Sequence, residues 1–312
     1  MYSAFFRTFL NSPEKKIPSV SSTGFRYEWV TKVYHDGTWS LVWERAISNV
    51  RTPEFDLLVL GFSLMPTKSP SAAPPVVFTG DKDTEISAFN ILLRVIYSWP
   101  VIFETAAQLC HATKLADYYC ALPMLSVALN AAFCESAHFR CEILEYPVEL
   151  LNASVKLRNK VLYKECMILL MGPWHSPRYK NIQDNKLKQL AVNAHHCICC
   201  KILDAQKILV EGTAVAPYLE VYRNVEAQVL AKNMWENQGA GLRVPQLYRD
   251  VLNSLVATRS HYEISIIGPL LKNELVLYPS MSMPGEGWCK DYFLCLELTD
   301  EDLPWDINER EW

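Results

Sequence analysis

The densest cluster of chemically capable side chains in this 312-residue sequence is "HHCICC", residues 195 to 200, with two histidines and three cysteines in six positions. On a helix His195 lies one turn from Cys199 and His196 one turn from Cys200, so each pair offers one nitrogen and one sulfur to an ion. A structural zinc site needs four ligands in a tetrahedron, usually two such pairs on separate turns or elements. No C-x-x-C or H-x-x-x-H partner lies elsewhere in the chain, and the remaining cysteines are scattered singly apart from Cys289 and Cys295. Leu187, Ala191, Ala194, Ile198, Ile202, Ala205 and Leu209 meanwhile form a continuous apolar stripe at helical spacing. Free cysteine packs as a small hydrophobe beside such a stripe. The expectation is therefore a packed helix with no metal and no cofactor. The competing reading is a metal- or thiol-dependent enzyme using His195, His196, Cys197, Cys199 and Cys200.

Other nucleophile patterns are weaker. The chain has no G-x-S-x-G elbow, no phosphate-binding glycine loop, no G-x-G-x-x-G after a strand and no H-E-x-x-H. Cys110 and His111 are adjacent, so on a helix they point about 100° apart and cannot form the pair that thiolate activation requires. Cys134 and His138 can meet across one turn, but nothing nearby marks an orienting carboxylate or an oxyanion hole. No catalytic residue is assigned, and the chain reads as a non-enzyme.

Elements must position these residues, and length sets how many domains hold them. At about 100 to 200 residues per domain, two structural units are expected. Half the residues are apolar and 12% aromatic, a composition that folds throughout. A net charge of -4 lacks the basic footprint that nucleic acid demands, and the densest basic run, "VKLRNKVLYK" at 155 to 164, reads as the wet side of an amphipathic helix. No nucleic-acid partner is expected. The N-terminal residues lack a basic leader and a small-residue cleavage site, and no segment reaches the roughly 18 to 20 apolar residues that span a bilayer. Ten irregularly spaced cysteines then imply thiols in a reducing, intracellular compartment, cytoplasmic or nuclear, with the sequon at Asn152 unglycosylated.

Residues 25 to 43 hold two aromatic and β-branched runs around Asp36-Gly37, which predicts a hairpin. Thr52-Pro53 offers a helix start, "MPTKSPSAAPP" a loop, and "VVFTGD" a strand. A helix then carries Ile86, Phe89, Leu92, Leu93 and Ile96, with Thr84 as its cap. A second helix carries Leu109, Ala112, Leu115, Ala116 and Tyr119, and a third starts at Pro123. The stretch "PVELLNASVKLRNKVLYKECMILLMG" reads as one long helix ending at Gly172-Pro173, and the cysteine-rich helix ends at Gly212. Two more helical stretches follow, and "NELVLYP" and "CKDYFLCLELTD" read as short strands. The fold class is α+β: an extension over 1–24, a hairpin, short sheet and helical cluster over 25–135, and a mainly α-helical domain over 136–312.

The chain finishes in "TDEDLPWDINEREW", an acidic tail over 299–312. A solvated terminus is one reading. In the other, Leu303, Trp305 and Ile307 dock on this protein or a partner while the carboxylates steer.

The order of elements, read with "TPEF" at Thr52 to Phe55, "FNILLRVIY" from Phe89 to Tyr97 and "LCHATKLADYYCALPML", resembles the BTB/POZ domain over about residues 25 to 135. The remainder, with "GPWHSPRY", "PGEGWCKDYFLC" and "DEDLPWDINE", is similar to the C-terminal region of BTB proteins from filamentous fungi. Two departures stand out: Glu44-Arg45 replaces the family's His-Lys/Arg pair, and the loop at 65 to 75 is rich in proline. The resemblance implies an adaptor for protein–protein interaction that homodimerises and, in many members, recruits a cullin-type ubiquitin ligase scaffold. A scaffold that has lost cullin binding is the alternative. A homodimer face is expected on apolar residues of the hairpin and first helix, with Trp29, Trp39, Leu41 and Trp43 as candidates.

Overall fold

The structure is a computed structural model, and it describes residues 29–33, 39–43, 81–213, 227–229, 232, 243–258, 261–277 and 283–309. The chain divides into two compact units, Phe5–Ser87 and Ala88–Trp312 with Met1–Ala4.

In the smaller unit the described backbone holds a hairpin, β1 (Trp29–Val33) antiparallel to β2 (Trp39–Trp43), and the first residues of a helix that starts at Lys82. Its register pairs Trp29 with Trp43, Thr31 with Leu41 and Val33 with Trp39, so the four candidate interface residues occupy every second position of one ladder. The turn at Asp36-Gly37, the helix at Thr52-Pro53, the proline-rich loop and most of "VVFTGD" lie outside the described residues.

The α+β expectation is corrected, and with it the BTB/POZ-like sheet. The described chain is mainly helical, and no third strand joins the two-stranded ladder among the described residues. "NELVLYP" and "CKDYFLCLELTD" are not strands where they are described, although Glu274 N–H bonds the Leu294 carbonyl at 3.0 Å. The reason lies in the amides that follow, the first of which, Leu275 N–H, turns back to Asn273 Oδ1 at 3.0 Å. Val276 and Leu277 donate their N–H groups to the Glu165 carboxylate, at 3.0 and 2.6 Å, and so are withdrawn from any ladder.

Helices with bounds among the described residues follow in chain order: α1 (Lys82–Ile96), α2 (Ala106–Tyr118), α3 (Leu122–Glu135), α4 (Ala137–Glu145), α5 (Pro147–Lys156), α6 (Lys160–Leu170), α7 (Asn185–Thr213), α8 (Val244–Thr258) and α9 (His261–Ile267). Asp81, rather than Thr84, caps α1: its carboxylate accepts from Asp83 N–H and from the Thr84 hydroxyl. The buried face of α1 is Ala88, Ile91, Leu92 and Val95, while Ile86 is exposed, so the apolar face is turned from the one the spacing suggested.

The core gathers on α6, which is buried from Leu162 to Leu170 except at Lys164 and packs against α4 and α5. A helix apolar nearly all round belongs inside. Leu109, Leu125, Leu129, Phe139, Ile143, Leu150 and Leu151 complete this interior, each burial contributing about 1.5–3 kcal/mol.

The long helix expected from 147 to 172 is two helices. Arg158 takes a left-handed conformation (φ 45°), and Asn159 N–H bonds back to the Ser154 carbonyl, six residues closing the turn. Asn159 then caps α6, its Oδ1 accepting from Leu162 N–H at 2.9 Å. Its amide Nδ2 donates to Ser126 O and Asn130 Oδ1, so a side chain 3% exposed is fully employed. α7 runs through Gly212 to Thr213 rather than stopping there.

Candidate functional site

Three separate phrases of sequence meet around α7. Its stripe of Leu187, Ala191, Ala194, Ile198, Ile202 and Ala205 is buried as the spacing predicts. His195 stands on one flank of that stripe, 60° round the helix from Ile198, and there it meets the "GPWHSPRY" loop that follows α6. Its imidazole stacks on Trp174 with centroids 4.6 Å apart and planes 17° apart, and tilts against Tyr179 at 5.2 Å. Trp174 in turn stands edge-on to Phe293 of "DYFLC" at 5.0 Å.

The third phrase anchors the loop. Asp291 is buried, its backbone carbonyl accepts from Trp174 N–H at 2.6 Å, and its carboxylate Oδ2 accepts from His175 N–H at 3.2 Å and contacts His175 Nδ1. The Tyr292 ring presses on Gly172, where a Cβ would stand 2.1 Å from Cδ1. Arg178 Nη1 donates to the Leu144 carbonyl at 2.7 Å and closes the loop onto α4.

Chemically the cluster is restrained. Burial, then the charges of His196 and Lys180, hold the His195 imidazole below its ordinary value, which favours the neutral ring. Burial, then Cys200, pushes the Cys199 thiol up. The Cys199 Sγ to His195 Nδ1 contact of 3.6 Å therefore joins a neutral thiol to a neutral ring, the opposite of the thiolate–imidazolium pair of an activated nucleophile. Among the described residues His195 Nε2, which is buried, has no hydrogen-bond partner. His175 has the buried carboxylate behind Nδ1 that orients a general base, but no nucleophilic side chain among the described residues bonds to its ring.

His196, Cys197 and Cys200 lie exposed on α7 whereas His195 and Cys199 are half-buried, so exposure splits "HHCICC" into two groups. Among the described residues no three His, Cys, Asp or Glu side chains are grouped to hold a metal ion. Cys110 is half-buried with its thiol raised by burial, and Cys134 Sγ points to the Asn130 carbonyl at 3.9 Å. Sequence reasoning missed Trp174, His175, Tyr179 and Asp291 as a group. The available signal was the pair of aromatic, glycine-bearing phrases on either side of α7.

Of the tail candidates, Leu303 is buried, Trp305 is half-buried with its ring edge-on to Tyr163 at 5.4 Å, and Ile307 is exposed. Tyr163 donates to the Asp302 carbonyl at 3.3 Å, Arg158 pairs with Glu309 at 2.8 Å, and Lys160 pairs with Asp300. The tail thus lies along the start of α6, over the basic run. Lys156 of that run pairs instead with Asp117, at 2.6 Å. The side chains of Trp29, Trp39, Leu41 and Trp43 lie outside the described residues.

A cavity is lined by Gln228, Val229, Lys232, Asp250, Asn253 and Ser254, and there the Ser254 hydroxyl donates to the Asp250 main-chain carbonyl at 2.9 Å. No helix among the described residues is long and apolar enough to cross a membrane. No protein-family model, no curated protein and no solved structure matches the chain.

Proposed function

We propose that this chain is a non-enzymatic adaptor for protein–protein interaction, working inside the cell. The observation that carries the reading is a fixed aromatic patch after α1. Tyr97, Trp99 and Ile102 are 66%, 61% and 59% exposed, and the rings of Tyr97 and Trp99 stand 5.8 Å apart. Their backbone is held by a helix-ending turn: Trp99 N–H bonds the Arg94 carbonyl at 2.8 Å around left-handed Ser98. Large aromatics held in one conformation lose little entropy on docking and dominate interface energies.

The resemblance of three phrases to BTB/POZ proteins supports the choice of partners, a second copy of this chain and a cullin-type ubiquitin ligase scaffold. Ten cysteines, present as thiols, support the reducing compartment. Light scattering of the full chain up to high micromolar concentration tests self-association, and a pull-down with a cullin scaffold tests the second partner. A dimer is expected, with Trp39→Glu/Trp43→Glu breaking it and Tyr97→Asp/Trp99→Asp abolishing capture of the scaffold. A wild-type monomer that captures no cullin scaffold would retire both partners.

A further inference from the structure

We propose that Cys197 and Cys200 form a reversible thiol–disulfide pair on the solvent side of α7, closed by a low-molecular-weight disulfide. Both thiols are exposed, three residues apart on one helix and only 60° apart around its axis. Their Cα atoms are then roughly 5 Å apart, inside the window that a disulfide spans. Cys199 lies between them in sequence but not in space: it is half-buried on the opposite flank, with its Sγ against His195.

The exchange balances without any other reactant. The Cys200 thiolate attacks one sulfur of an external disulfide RSSR, forming a Cys200–S–SR mixed disulfide and releasing RS⁻. The Cys197 thiolate then attacks Cys200 Sγ, closing the protein disulfide and expelling the second RS⁻. Two protein thiols are oxidised, one external disulfide is reduced to two thiols, and the two protons released by the cysteines pass to the departing thiolates. The other exposed thiols, Cys120, Cys134 and Cys141, have no cysteine three residues away and stop at the mixed disulfide.

The bridge would strain the helix. Cβ atoms at this spacing stand about 5–6 Å apart, against the 3.5–4.5 Å of a relaxed disulfide, so closure tightens the turn carrying Ile198 and Cys199. Strained disulfides are the easily reduced, regulatory ones. The turn that yields also carries the thiol against His195, which couples the pair to the Trp174 stack.

Reduced full-length protein treated with oxidised glutathione and mapped by peptide mass spectrometry tests this. The expected product is a Cys197–Cys200 disulfide without adduct, reversed by dithiothreitol and still formed in Cys199→Ser. Cys197→Ser and Cys200→Ser should each instead keep one glutathione on the remaining cysteine. Stable adducts on both cysteines of the wild type, a bridge to Cys199 or to any other cysteine, or no reaction at these two positions would each overturn the proposal.

Discussion

Gly172 shows how little room a single position leaves. A methyl group there would stand 2.1–2.6 Å from three carbons of the Tyr292 ring, and that ring is buried and cannot swing away. Overpacking of this kind costs typically 1–3 kcal/mol, so Gly172→Ala should lower the urea midpoint accordingly, and the same substitution should cost less when made in a Tyr292→Ala background than in the wild type. Glu165 gives a prediction with a sign. Burial raises its carboxyl above the ordinary value, while the Val276 and Leu277 N–H groups pull the other way. An unfolded glutamate releases its proton near pH 4.3, before the folded one does. The unfolded state therefore binds fewer protons across the window from there up to the raised folded value, and stability falls as pH rises through it. Urea unfolding followed across that window should show the decline, and Glu165→Gln should flatten it. Because glutamine offers one acceptor oxygen where two N–H groups need one each, the variant should also lose about 1–3 kcal/mol through the amide left unpaired.

At the scale of elements, three helices end on the same device without the residue that usually announces it. α1, α2 and α5 each close with an N–H bonded five residues back around a left-handed position, held by Ser98 (φ 58°), Cys120 (φ 49°) and Arg158 (φ 45°). Left-handed backbone costs a non-glycine residue about 1–2 kcal/mol. Cys120 is exposed and needs no side-chain packing there, so Cys120→Gly should raise stability by about 1 kcal/mol in thermal or denaturant melts, and Cys120→Ala should leave it nearly unchanged. The same device explains what the sequence conceals. The apolar period of α2 and α7 is plain in the letters because their buried faces are continuous. The break at Arg158 is not, since no glycine or proline stands there and the apolar pattern runs straight across it. The strands expected near the C-terminus failed for a different reason: Leu275 and Tyr292 to Leu296 are buried, but Val276 is exposed and a carboxylate more than a hundred residues away takes the amides of Val276 and Leu277. The candidate site was legible only at His195 and Cys199, because Trp174, Tyr179 and Asp291 reach them through contacts that no local spacing encodes.

At the scale of the whole molecule, the question is what fastens the acidic tail over the basic run, its carboxylates or its aromatic anchor. Arg158 with Glu309 and Lys160 with Asp300 are partly exposed pairs, and Lys160 holds the Asp300 carboxyl below its ordinary value. Pairs of that kind are screened by salt and contribute little. Leu303 is buried and Trp305 sets its ring edge-on to Tyr163, a contact insensitive to salt and worth about 0.5–1.5 kcal/mol beyond the area it buries. The anchor should therefore dominate. Trp305→Ala should lower the denaturant midpoint clearly, by the same amount in low salt and in 1 M salt. Asp300→Asn/Glu309→Gln should lower it slightly in low salt and not at all in 1 M. If the two variants exchanged these behaviours, the tail would be held by charge. The basic run beneath it would then be a surface that any stronger polyanion could uncover.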